Sequence, residues 1–171
     1  ELYDYAVSIG CEAVLGEKMS LNTSFKTGGP CGVRLSPDST EQLKDIITKA
    51  NALGIPFTVL GNGTNVLVPD EGIDKAIIII GDNMAEYSLE GEDILTFSAG
   101  TNLVSLCRFA LENSLSGLEF AFGIPGTCGG AVFMNAGAYQ AEMKNIVKYV
   151  QKVGVPCPKC DGDVIVKHTK R

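Results

Sequence analysis

The period of the apolar positions changes several times along the chain, and each change marks an element. Leu2, Tyr5, Ala6 and Ile9 recur at helical spacing and predict a short amphipathic helix. A polar, glycine-rich loop, NTSFKTGGP, then leads into a short strand around Gly32 to Leu35. Ser39-Thr40-Glu41-Gln42 reads as a capping box, with Gln42 three residues after Ser39. Behind it Leu43, Ile46, Ile47 and Ala50 form one face of a helix that Gly54 would stop. IPFTVLG and KAIIIIG are β-rich runs.

In the second half SLEGEDILTFSAG predicts a hairpin turning at Glu90-Gly91-Glu92-Asp93. Thr101 or Asn102 can cap a helix with Leu103, Leu106, Cys107, Ala110 and Leu111 on one face, closed by Gly117. Helices interleaved with short strands indicate a mixed α/β or α+β architecture of two small lobes meeting near residue 81. The expected boundaries are 1–80, 81–150 and an atypical tail, 151–171. No internal repeat stands out.

Composition narrows the field. The chain has 171 residues, 45% of them hydrophobic and 20% charged, which is globular usage. Its longest apolar run, Ala76 to Ile80, is too short to cross a bilayer, and no export signal is seen. Cys11, Cys31, Cys107 and Cys128 lie singly among apolar or small residues, as buried thiols in a reducing compartment would, and the cytoplasm is the expected location. A net charge of −6 argues against a general nucleic-acid or anionic-membrane surface. It also implies that an anionic ligand is held without a cationic patch.

Two glycine loops carry the candidate chemistry. Gly61-Asn62-Gly63-Thr64-Asn65 follows the first β-rich run. Its glycines permit positive φ, so consecutive amides can line one concavity, a cradle for phosphates that needs no lysine. A plain strand-to-strand turn explains the same residues. The loop lacks the G-K-[ST] ending of a P-loop, and Val66 stands where the dinucleotide fingerprint has its third glycine. The second loop, GIPGTCGGAVFMNAGAY from Gly123 to Tyr139, holds five glycines and three alanines in seventeen residues. Pro125 stiffens the turn before Gly126 and Thr127, and the small residues through Gly129 and Gly130 would let backbone lie against a flat ring or a diphosphate. Close packing of a helix on a strand would use the same glycines.

Taken in order, NTSFKTGGPCGVRLSP, VLGNGTNVLVPDEGI and SLSGLEFAFGIPGTCGGAVFMNAGAY resemble the UDP-N-acetylenolpyruvoylglucosamine reductase family over about residues 16 to 150. The resemblance implies an α+β, two-lobed FAD-binding fold of the vanillyl-alcohol-oxidase type, with 1–80 and 81–150 as its FAD-binding lobes. It implies FAD as cofactor, NADPH as hydride donor, and a cytoplasmic reductase forming UDP-N-acetylmuramate for peptidoglycan. Gly61, Asn62, Gly63, Thr64 and Asn65 would hold the pyrophosphate. Gly123, Ile124, Pro125, Gly126, Thr127, Gly129 and Gly130 would line the cofactor from the second lobe. The family's Y-R-x-S segment and C-terminal substrate domain are not found before Arg171, so no catalytic residue is assigned and this chain is expected to be inactive by itself. Arg34, Arg108, Ser116 and Glu119 read more simply as surface charge, loop or cap residues. Gln140 stands where the family usually has glycine, which matters if that position needs positive φ. Another FAD-dependent oxidoreductase of the same fold is the alternative.

From about Ile146 the pattern changes. Cys157-Pro-Lys-Cys160 and the alternating Val164 to Lys167 resemble the first half of a zinc ribbon of type IA topoisomerases. A structural zinc needs four ligands, and the second pair is missing, which leaves His168 as the only further candidate. No metal ligand is assigned. The tail reads as a segment joined from another gene, as strands completing the second lobe, or as a zinc or redox appendage. A nucleic-acid-binding role for it is disfavoured, because Asp161 and Asp163 partly offset its five lysine and arginine charges.

Overall fold

In a computed structural model of the chain, residues 1–150, 153 and 166–169 are described. The backbone divides into two compact units, Glu1–Met84 and Ala85–Arg171.

The first unit is built on a four-stranded sheet. Its elements are helix α1 (Leu2–Ser8), strands β1 (Glu12–Leu15) and β2 (Cys31–Ser36), helix α2 (Thr40–Ala52), and strands β3 (Phe57–Leu60) and β4 (Ile73–Ile79). The strand order is β1-β2-β4-β3, with β1 antiparallel to β2 and β4 parallel to both neighbours. The run Ala76-Ile77-Ile78 is buried without alternation because a central strand is covered on both faces. Ile77 joins Met19, Cys31, Leu60 and Val68 in one apolar cluster. Successive side chains alternate across a strand, so Ala76 and Ile78 serve the opposite face.

Helix α2 shows how the expected capping box is built. Ser39 Oγ accepts from the Gln42 amide at 3.3 Å. The return bond runs from the Asp38 amide to Gln42 Oε1 at 2.9 Å, one residue earlier than the motif prescribes. Gln42 is buried, and its side-chain amide also donates to the Ile9 carbonyl at 3.1 Å. The Gln42 side chain thereby ties α2 to the end of α1.

The second unit has strands β5 (Tyr87–Glu90) and β6 (Ile94–Phe97), helices α3 (Leu103–Glu112) and α4 (Cys128–Phe133), and the short pair β7 (Gly137–Ala138) and β8 (Ala141–Glu142). Strand β9 (Val166–Thr169) completes an antiparallel sheet in the order β5-β6-β9. The β5–β6 hairpin is the one predicted. Asn102 caps α3, its Oδ1 accepting from Val104 and Ser105, while the Thr101 hydroxyl donates to the Glu86 carbonyl at 2.8 Å. The helix ends at Glu112, earlier than a stop at Gly117 implies, because Ser114 takes the left-handed conformation (φ 57°). Leu95, Phe97, Leu103, Leu106, Ala110, Phe120, Ala121 and Met143 form its core. Leu111, expected on the same face, is exposed.

Candidate functional site

The glycine loop 61–65 sits at the carboxyl end of β3. Because β3 and β4 are parallel, the loop cannot be a hairpin turn; it belongs to the longer connection from Gly61 to Gly72. The carboxyl ends of parallel strands are where open α/β sheets place their ligands. There Gly61, Asn62 and Ile79 line a cavity of about 250 Å³ together with Leu21, Asn22, Thr23 and Lys26. Gly63, Thr64 and Asn65 are outside that lining.

Gly63 serves a different end from the one its sequence suggests. Its φ is +60°, and a Cβ there would lie 2.1 Å from the Asn22 carbonyl oxygen. Its own carbonyl accepts from the Ser24 amide at 3.0 Å. The missing side chain lets the loop lie directly on residues 22–24, which brings Asn22, Thr23 and Lys26 to the cavity. Gly61 is not among the described residues with positive φ, so one of the two glycines carries the sharp turn.

Residues 22–27 are themselves tightly held. Thr23, 2% exposed, donates through its hydroxyl to the Thr27 carbonyl at 2.8 Å, and the Lys26 amide donates to the Thr23 carbonyl at 3.2 Å. Asn22 donates from its side-chain amide to Glu17 Oε1 at 2.6 Å. Glu17 in turn accepts from Arg34, which also reaches Glu12 at 2.7 Å and the Ser36 hydroxyl at 2.7 Å. Arg34 is therefore buried inside a network rather than a surface charge. The Arg34 guanidinium holds the Glu12 carboxyl below its ordinary range. This network, Asn22 and Lys26 carry no sequence signal of their own, since the contacts that unite them span up to 22 residues.

The second loop is stitched to its own unit. The Leu103 amide donates to the Gly126 carbonyl at 3.0 Å, the Cys128 amide to the Thr101 carbonyl at 2.7 Å, and the Gly129 amide to the Ala99 carbonyl at 2.9 Å. Thr127 caps α4, its Oγ accepting from the Gly130 amide at 3.3 Å. The amides at the start of α4 are thus occupied by protein acceptors. A Cβ on Gly129 would lie 2.6 Å from that of Ala99, so here the glycine serves close packing. Gly126, at φ 131°, makes the turn beside Pro125. Ile124 packs on the core, and a Cβ on Gly123 would meet nothing within 4 Å. Open space in this loop therefore lies at Gly123, before the helix.

Beyond α4 the β7–β8 hairpin turns through Tyr139 and Gln140, with φ of 50° and 68°. Positive φ at both central residues is the geometry of a tight two-residue hairpin turn. The position of Gln140 thus does require what glycine adopts most readily. Phe133 and Tyr139 are 88% and 89% exposed.

Of the remaining candidates, Arg108 and Ser116 are exposed, and Glu119 accepts from the Gly117 amide at 2.7 Å. Cys157 and Cys160 lie outside the described residues. So does the side chain of His168, whose backbone pairs with Leu95 in the β6–β9 ladder.

The mixed helix-and-sheet fold of the two units is that of an FAD-binding domain of the vanillyl-alcohol-oxidase type. The chain belongs to the FAD binding domain family, whose model matches residues 32–166. It is 42% identical over 135 residues to the UDP-N-acetylenolpyruvoylglucosamine reductase of Alkaliphilus oremlandii, covering 79% of this chain and 44% of that protein. The reductase of the same name from Caldanaerobacter subterraneus is 44% identical over 137 residues, 80% of this chain and 45% of that one. The chain thus spans about half the length of the curated relatives it matches. The crystal structure of UDP-N-acetylenolpyruvylglucosamine reductase from Thermus caldophilus superposes with a TM-score of 0.68 at 32% identity, covering 94% of this chain and 61% of that one. A solvent-stable cholesterol oxidase shares the fold alone, with a TM-score of 0.69 at 13% identity over 94% of this chain and 34% of its own.

Proposed function

We propose that this chain is the FAD-holding part of a UDP-N-acetylenolpyruvoylglucosamine reductase, and that the substrate is the enolpyruvyl nucleotide sugar in that name. The observation that carries this reading is the 42% identity over 135 residues to proteins of that activity, in a region containing both glycine loops. NADPH as hydride donor and UDP-N-acetylmuramate as product belong to the same proposal. A cytoplasmic location is supported by the four buried, unpaired thiols.

The cavity fits the diphosphate of FAD in size and in donors. Gly61, Asn62, Asn22 and Lys26 line the ligand's place, with Thr23 bracing the turn beneath them; Gly63, Thr64 and Asn65 shape the loop. On the second unit we assign contact to Gly123, Ile124, Pro125 and Gly126. Thr127, Gly129 and Gly130 set the course of that loop by anchoring it to residues 99–103. When bound, FAD supplies a ring that accepts and passes on a hydride. The chain's own residues hold and orient the diphosphate.

The test is the visible absorption spectrum of the purified protein, before and after addition of FAD, with chromatography of the cofactor released on denaturation. Stoichiometric FAD is expected. A folded protein that stays colourless with excess FAD would overturn the proposal.

A further inference from the structure

Lys26 occupies an unusual place. It lines the same cavity as Gly61 and Asn62, in a chain whose net charge is −6. Its φ is +57°, a left-handed conformation that lysine adopts at a cost and that glycine or asparagine would adopt more readily. The turn that imposes this φ is fixed on three sides: by the Thr23 hydroxyl on Thr27, by the Ser24 amide on the Gly63 carbonyl, and by Asn22 on Glu17. Its backbone thus disfavours lysine, and of the described non-glycine residues with positive φ it is the one on this cavity's lining. Among the described residues no carboxylate pairs with it.

We propose that Lys26 is the cationic contact for the ligand's diphosphate, held over the cavity by the strained turn. This rests on the reading that loop 61–65 takes the phosphates of FAD. A single ammonium on a pinned turn meets the difficulty that an acidic chain poses for an anionic ligand, because a fixed point charge close to the phosphates acts where bulk charge is screened.

The experiment is an FAD titration of the full chain and of its Lys26→Asn, Lys26→Gln and Lys26→Arg variants at low and high salt, with thermal midpoints measured alongside. Removing the charge is expected to weaken FAD binding about tenfold, as for loss of one charge-assisted contact. Lys26→Arg is expected to stay within about threefold of the unmodified chain by keeping that contact. Lys26→Asn is further expected to melt no lower than the unmodified chain, since asparagine suits the left-handed turn, so weaker binding cannot be ascribed to unfolding. The salt dependence of binding should shrink in both neutral variants. Unchanged affinity in Lys26→Asn and Lys26→Gln would overturn the assignment, as would Lys26→Arg weakening binding as much as they do. An unmodified chain that takes up no FAD would instead overturn the functional reading on which it rests.

Discussion

Gly63 and Gln140 both stand where the backbone is left-handed, one suited to it and one not, and substitutions separate them. At Gly63 the left-handed backbone and the Asn22 carbonyl leave no room for a side chain. Gly63→Ala is expected to destabilise the protein by about 2–4 kcal/mol in denaturant unfolding and to weaken FAD uptake with it. At Gln140 the hairpin demands positive φ from a residue that resists it. Gln140→Gly should raise stability by about 0.5–1 kcal/mol, the relief of strain less the added freedom of the unfolded chain. A thermal midpoint that falls in that variant would show that the Gln140 side chain makes a contact worth more than the strain. The departure from glycine at 140 was visible in the sequence; that Lys26 shares the same kind of strain was not, because the turn around it is set by Thr23 and by a loop almost forty positions away.

The elements are unevenly legible in the sequence, for physical reasons. The three helices α1, α2 and α3 and the apolar β4 announce themselves through local periodicity, as does the β5–β6 hairpin. The connection after β3 does not, because a glycine loop looks alike whether the next strand returns antiparallel or runs parallel one place over. Pairing partners decide that, and they lie outside any local window. The same holds for Arg34, whose neighbours on β1 and the following loop convert an apparent surface charge into a buried one. Folding holds the Glu12 carboxyl below its ordinary value, near 4.5, through the Arg34 guanidinium. The contribution to stability is therefore present above that value and lost as pH falls through the lowered one. Glu12→Gln should flatten the acid limb of a stability–pH curve measured by denaturant unfolding; an unaltered limb would show that Glu17 alone partners the arginine.

At the scale of the whole molecule, the described thiols report on both units. Cys11 and Cys31 in the first and Cys107 and Cys128 in the second are buried and free. Burial pushes Cys107 up to about 11 and Cys128 up to about 12, and raises the other two above 9.0. A group whose folded value is raised favours the native state below its unfolded value and loses that advantage as pH climbs toward the folded one. Stability should therefore decline from about pH 9 upward, and Cys128→Ala should soften that decline. At pH 8 a thiol reagent is expected to leave all four unmodified until the chain unfolds; rapid native labelling of any of them would mean its unit opens locally.

Strand order in the first unit also has a consequence for how the protein is made. β4 lies between β2 and β3, although it follows both in the chain. A ribosome therefore delivers β2, α2 and β3 with no partner for either facing strand edge, and the gap closes only when Ile73–Ile79 emerges. Until then two open edges and the apolar faces of α2 and β2 stand available to the wrong partner, the condition in which nascent chains aggregate or engage chaperones. Because the residues between β3 and β4 include the Gly61–Asn65 loop, both ends of that loop's connection are fixed only when the strand insertion completes the sheet. Fixing the course of the Gly61–Asn65 loop and closing the sheet are one event.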